Sequence, residues 1–258
     1  MILPTAAQAP LRFLRDKHLF PDFFSTLKTP VNFLIIRHGQ SEGNAAKILQ
    51  GRGEYPLSKE GRLQAAARGI VLKNELKDAK PGKTLFFSSP QSRAKETTEI
   101  IAEEILTTGA LCEKPVYLED LMEMSLGIWA GKTWEEVKND DPSIWSGFMA
   151  RSWDAVPEAD SSIDLFERSL RVWGALRDAA IDTGAENVIV VTHGGLIQWL
   201  LKSTFQCRTW FPLLPISNCG QFKLCVKPHP SEKSSYMYWE EIDSHLPNQN
   251  AQPQGFPA

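Results

Sequence analysis

Three short patterns carry side chains that could handle a phosphate group. Arg37-His38-Gly39 places a guanidinium beside an imidazole, His193-Gly194-Gly195 sets a second imidazole before two glycines, and Ser89-Pro90 precedes Arg93. Neutral imidazole is a nucleophile whose free ring nitrogen is defined by what the other nitrogen bonds. The planar guanidinium fork bonds two anion oxygens at once, and helix N-termini favour anions as well. Taken singly, each pattern has a plain explanation: a chance tripeptide, a tight turn, a capped helix start. Their shared position gives them weight, because each closes an apolar run of strand length. Two arginines, two histidines and two helix N-termini would then converge at the carboxyl ends of a sheet, where open α/β proteins bind ligands. Residue chemistry alone points to a phosphate ligand.

The elements that must hold these residues are legible from periodicity. Val31 to Arg37, Thr84 to Ser89 and Asn187 to His193 read as strands. Ser58 to Lys73 reads as a helix capped by Ser58, with Gly61 and Gly69 as mild defects. A second helix is expected to start at Ser89-Pro90 and run to about Leu106, a third to span Ser162 to Ala180, and a fourth Gly195 to about Lys202. Ile216 to Val226 and Tyr236 to Ile242 read as later strands. The alternation predicts an α/β fold, a mostly parallel sheet flanked by helices on both faces. Gly127 to Ser161 breaks the alternation and holds Trp129, Trp134, Trp145 and Trp153. It reads as a small helical insertion over the site.

Composition sets the outer limits. Of 258 residues 42% are hydrophobic and 23% charged, within the ordinary globular band. Lys plus Arg is 28 against 31 Asp plus Glu, a net charge of −3 that gives no reason to expect nucleic acid as a partner. No apolar run approaches a membrane span and the first residues do not read as a secretory signal, so a cytoplasmic protein without a membrane partner is expected. Cys112, Cys207, Cys219 and Cys225 form no CxxC pair, so reduced thiols are expected and no zinc site. The expected organisation is an N-terminal arm over 1–29, one domain over 30–243 and a flexible tail over 244–258. A homodimer is left open.

The patterns resemble the histidine phosphatase superfamily, the phosphoglycerate mutase-like family. Arg37-His38-Gly39-Gln40-Ser41-Glu42-Gly43-Asn44 is similar to its RHGxSxxN signature, continued by Gln50-Gly51, Pro56-Leu57-Ser58, Gly61 and Gln64-Ala65. Ser89-Pro90 with Arg93-Ala94 and Thr97 resembles the second motif. Leu121-Met122-Glu123 with Gly127, Trp129 and Gly131 resembles the motif carrying the acid, and Val191-Thr192-His193-Gly194-Gly195 the last. The resemblance spans roughly Val31 to Val226. It implies His38 as nucleophile, forming a phosphohistidine, with Arg37, Arg93 and His193 neutralising the phosphoryl oxygens and Asn44 donating a further hydrogen bond. It implies Glu123 as the acid that protonates the leaving oxygen and then the base for water. Gln50 and Gly51 are candidate substrate contacts. No metal and no cofactor are implied, since the cationic side chains take the part that magnesium plays elsewhere.

The same resemblance divides phosphatases from phosphoglycerate mutases. Mutases continue the first motif with Asn-Arg-Phe, where this chain has Lys47-Ile48-Leu49, and have an aromatic residue at the third position after the acid, here Leu126. Their long basic insertion is replaced by a short one rich in Trp and acids (Glu135, Glu136, Asp140, Asp141), which would suit a substrate whose non-phosphate part is neutral or apolar. The phosphatase branch is therefore expected, acting on a small phosphorylated metabolite. A mutase and a non-catalytic phosphate-binding module are the alternatives. The phosphatases usually carry Gly-Glu-Ser before the third helix; here Ala159-Asp160-Ser161-Ser162 stands in its place.

Overall fold

Strand β1 (Val31–Arg37) is buried at every position except the half-buried Asn32. A strand covered on both faces reads as an unbroken apolar run, which is why its limits match the sequence expectation residue for residue. The computed structural model describes residues 22–106, 108–110, 114–214, 216–229 and 235–246. Among them β1 lies between β4 (Asn187–Thr192), which runs parallel to it, and β5 (Gln221–Pro228), which runs antiparallel. Parallel strands β2 (Thr84–Ser88) and β3 (Val116–Tyr117) continue beyond β4, and β6 (Ser235–Ser244) forms a hairpin with β5. The order is β3-β2-β4-β1-β5-β6, a mixed sheet, parallel on one side and antiparallel on the other.

Register brings the functional residues to one edge. Arg37 stands opposite Thr192, and Ser88 opposite Val191. The next residues, His38, His193 and Ser89, therefore leave the sheet at one level. Because β5 is antiparallel, the chain entering it (residues 216–220) arrives at the same edge.

Helices cover both faces. Helix α1 (Glu42–Ala45) is a single turn beyond β1. Helices α2 (Lys59–Glu75) and α3 (Ser92–Leu106) pack Leu72, Ala94, Ile101 and Ile105 on Leu34, Ile36, Phe86, Ile189 and Val191. On the other face, α6 (Ser162–Thr183) and α7 (Gly194–Thr204) pack Val172, Trp173, Leu176, Leu196 and Leu200 on Phe33, Ile35, Phe87, Val188 and Val190. Phe23, Phe24 and Leu27 belong to this second core, with Phe24 edge-on to Trp173 at 5.9 Å. The apolar residues Leu11 to Phe20 of the expected arm, Cys112, and the chain beyond Leu246 lie outside the described residues. Leu246 itself is buried, and Cys207, Cys219 and Cys225 are free thiols.

Ser58 caps α2 as expected, its side chain accepting from the Gly61 amide. Gly61 and Gly69 are not defects. A Cβ on Gly61 would collide with the Gln40 backbone, and one on Gly69 would lie 2.9 Å from Cβ of Glu104 on α3. The two glycines let α2 approach the loop after β1 and its neighbouring helix. Helix α3 starts at Ser92, not at Ser89-Pro90. The Ser89 hydroxyl contacts His193 and accepts from the Gln91 amide, so the chain makes a turn there before the helix begins.

The insertion comprises α4 (Trp134–Asp140), α5 (Pro142–Arg151) and two 3-10 turns, Gly127–Trp129 and Ser152–Ala155. Its tryptophans form a core of their own. Trp129 and Trp153 are buried, and the Phe148 ring lies 5.2 Å from each, with Trp134 and Trp145 packed around them. The aromatic rings are thus engaged with one another instead of offering an apolar cover to a ligand. The same core includes Leu49, Met124 and Leu126, so it fixes the strap that carries Glu123.

Candidate active site

His38 follows β1 and is 2% exposed. Its Nδ1 lies 2.6 Å from the carbonyl of Gly39, which can only accept, so Nδ1 carries the proton. That leaves a lone pair on Nε2, toward which Arg93 Nε donates at 3.2 Å. Burial first, then the charges of Arg93 and Arg37, hold this imidazole well below the ordinary histidine range, with the Gly39 carbonyl acting the other way. The neutral, nucleophilic tautomer is therefore the one the site maintains.

His193 is fully buried, its ring centroid 5.1 Å from that of His38. Its Nε2 bonds the Ser89 hydroxyl at 2.7 Å and its Nδ1 is a buried atom without a partner. Burial and then Arg93, His38 and Arg37 keep it neutral as well. Arg37 donates Nη1 to the Ile216 carbonyl at 2.6 Å, while its buried Nε has no partner. Arg93, 1% exposed, donates Nη1 to Gly53 O at 2.8 Å and Nη2 to Gly51 O at 2.9 Å. Both guanidiniums are held by backbone carbonyls, which orient them without cancelling their charge.

Glu123 stands across the site at the start of α7. Its Oε2 accepts from the Gly195 amide at 3.2 Å and its Oε1 from the Met124 amide at 2.9 Å. Asn44 accepts at Oδ1 from the Ser41 amide at 3.1 Å and from Asn218 Nδ2 at 3.3 Å, which leaves its NH2 end as the donor. The structure thus gathers Arg37, His38, Asn44, Arg93, Glu123 and His193. Gln50 and Gly51 stand one layer back. Gln50 Oε1 accepts from Ser41 Oγ at 2.7 Å, and Gly51 presents its carbonyl to Arg93.

Several supporting residues escaped the sequence reading. Gln91 accepts from the Glu123 amide at 2.7 Å and donates to Gly51 O at 3.3 Å, tying the acid's strap to the loop that holds Arg93. Asn218 donates to the His38 carbonyl at 3.1 Å. Thr97, noted only as part of a motif, accepts from the Gly39 amide at 3.1 Å. Arg168 on α6 and Arg52 flank Asp160 beside Glu123. Among the described residues no three His, Cys, Asp or Glu side chains gather as a metal site requires, and no helix is long and apolar enough to cross a membrane.

A neutral imidazole among buried arginines, with a carboxylate nearby, is an arrangement suited to binding a phosphate group. Residues 33–232 match the model of the histidine phosphatase superfamily, branch 1, and the chain belongs to that superfamily. A metal-independent phosphoserine phosphatase of Arabidopsis thaliana is 32% identical over 186 residues, 71% of this chain and 73% of the relative. A glucosyl-3-phosphoglycerate phosphatase of Mycolicibacterium vanbaalenii is 33% identical over 169 residues, 64% and 69% of the two chains. The phosphoglycerate mutase structure from Bacillus anthracis superposes with a TM-score of 0.64 at 23% identity, covering 83% of this chain and 93% of its own, which establishes the shared fold.

Proposed function

We propose that the protein hydrolyses phosphate monoesters of small metabolites through a phosphohistidine on His38, without a metal ion. The observation that carries this reading is the tautomer of His38: Nδ1–H is committed to Gly39, and the unprotonated Nε2 keeps a lone pair toward which Arg93 Nε donates. Nε2 attacks phosphorus, the ester P–O bond breaks, and Glu123, protonated, gives its proton to the leaving oxygen. Water then attacks phosphorus, its proton passes to the Glu123 carboxylate, the P–N bond breaks, and inorganic phosphate leaves a neutral His38. The arginines and His193 Nδ1 meet charge on the equatorial oxygens, where phosphoryl transfer gains most. The relatives' named substrates, phosphoserine and glucosyl-3-phosphoglycerate, are small phosphate monoesters and support this substrate range.

Acid-labile, base-stable phosphate should be trapped on the wild type during turnover and be absent from His38→Ala, which should be inactive while folded. Turnover should persist in EDTA. Undiminished hydrolysis by His38→Ala overturns the mechanism, and activity lost on chelation and restored by magnesium overturns its metal independence. Rapid conversion of 3-phosphoglycerate to 2-phosphoglycerate in the presence of 2,3-bisphosphoglycerate, with little free phosphate from any ester, assigns a mutase instead.

A further inference from the structure

Asp243 is a buried carboxylate that the mechanism does not use, 7% exposed near the end of β6. The backbone makes a special place for it. Between the pairs Gln221–Ser244 and Lys223–Glu241, β5 has one residue and β6 has two, so Asp243 lies in a bulge. Bulges re-aim side chains. Its φ of +51° falls in the left-handed region, which Asp and Asn tolerate better than most residues with a side chain.

Both carboxylate oxygens meet a single residue. Oδ1 accepts from the Ser217 amide at 2.8 Å, and Oδ2 from the Ser217 hydroxyl at 2.9 Å. A carboxylate taken out of water is stable only where such bonds replace its hydration. The approach is close enough that a Cβ on Gly220 would strike Oδ1.

Ser217 is part of the turn that completes the site. The carbonyl before it, on Ile216, accepts from Arg37 Nη1 at 2.6 Å. The residue after it, Asn218, donates to the His38 carbonyl at 3.1 Å and to Asn44 at 3.3 Å. Arg37 Nε is buried without a partner, so the Ile216 carbonyl is what orients this guanidinium, and a shift of that carbonyl moves it. Burial works against the Arg37 charge, and Glu123 and then Asp243 are the carboxylates that act the other way.

We infer that Asp243 is a positioning residue for phosphoryl transfer: by fixing Ser217 through both oxygens, it holds the Ile216 carbonyl where it aims Arg37 at the phosphate. The inference rests on the phosphate-binding role that the reading above gives Arg37. Asp243 bonds the turn, not the reacting groups, and acts through it.

Asp243→Gly removes the clamp and suits the left-handed backbone. The folded variant should lose about tenfold or more in kcat on p-nitrophenyl phosphate, and should bind inorganic phosphate about tenfold more weakly by calorimetry, because the cation is misplaced. Asp243→Asn can keep both bonds, its oxygen accepting from the amide and its NH2 donating to the hydroxyl, and should stay within about threefold of wild type on both readouts. The deciding comparison is made in Arg37→Ala, which has no guanidinium left to aim. There Asp243→Gly should change either readout by less than about threefold, whereas a general loosening of the fold would add its full effect. Should Asp243→Gly not fold, Ser217→Ala removes the hydroxyl half of the clamp; it should cost about threefold in phosphate affinity, and nothing measurable in Arg37→Ala. Undiminished kcat and phosphate affinity in the folded clamp variant overturn the inference. So does a loss that is equally large in Arg37→Ala, or an Asp243→Asn enzyme as impaired as Asp243→Gly. A wild type that hydrolyses no phosphate monoester, yet loses phosphate affinity with Asp243→Gly, overturns the hydrolase reading alone and supports the aiming of Arg37.

Discussion

Gly195→Ala tests the position of the proposed acid, Glu123, without altering that residue. Gly195 lies in the first turn of α7 and its amide donates to Glu123 Oε2 at 3.2 Å. A Cβ there would stand 2.5 Å from Glu123 Oε1 and 2.8 Å from Cγ and Sδ of Met124. That is roughly 1 Å inside ordinary van der Waals contact, so something must move. Both obstacles are side chains and not backbone. Met124 is 2% exposed and packed into the tryptophan core, so the Glu123 carboxylate is the group that yields. Two stability effects oppose each other. Alanine in place of glycine in a helix gains about 1 kcal/mol, and overpacking costs about 1–3 kcal/mol. The net loss is then about 0–2 kcal/mol, a fall of at most about 8 °C in Tm for a domain of this size. Catalysis should suffer far more. A displaced general acid forfeits about 100-fold or more on alkyl phosphates, whose leaving oxygen needs the proton. p-Nitrophenyl phosphate, with its good leaving group, should lose much less. The assay is kcat on the two ester types beside a thermal melt. A folded Gly195→Ala enzyme that hydrolyses alkyl phosphates within about threefold of the wild-type rate would refute the placement of Glu123 as acid.

Trp129→Ala should lower stability by about 3–5 kcal/mol, read as a shift of the urea midpoint, because the indole is fully buried among Trp145, Trp153 and Phe148; an unmoved midpoint would mean that the ring does not pack as described. Stability should also depend on pH through His38 and His193, which burial and then Arg93 hold well below the usual histidine range. The unfolded chain takes up their protons below about pH 6.5 and the native chain does not, so the contribution is complete above that pH and declines as pH falls, by about 1.4 kcal/mol per unit for each histidine. Urea midpoints measured down to about pH 5 should show this slope, reduced in His193→Asn. An equal slope in wild type and variant would show that His193 is not responsible.

What could be read in the sequence follows physical lines. β1 and β4 were legible because burial on both faces leaves a continuous apolar run, and Ser58 because a cap is a local interaction. The histidines and arginines of the site were legible because each closes such a strand or opens the helix after it. β3 was not, since two residues, Val116 and Tyr117, make too short a strand to show a period. The stretch from Ile216 to Gly220 looked like the start of β5. Its polar groups serve the site instead: Ser217 bonds Asp243, and Asn218 bonds His38 and Asn44. Gln91 and Asn218 gain their roles from partners distant in sequence, and such partners leave no local pattern.

The antiparallel direction of β5 also orders events during synthesis. By the time His193 has left the ribosome, every group assigned to the chemistry already exists in the nascent chain. β1 at that stage is still an edge strand, because its second neighbour comes from Gln221–Pro228. Arg37 lacks the Ile216 carbonyl that aims it, and the His38 carbonyl lacks Asn218. His38, the proposed nucleophile, is thus encoded early and gains its last backbone contact late. A fragment ending near His193 can already pair β1 with β4, but the contacts that residues 216–218 make with Arg37 and the His38 carbonyl arrive only with the hairpin that closes the sheet.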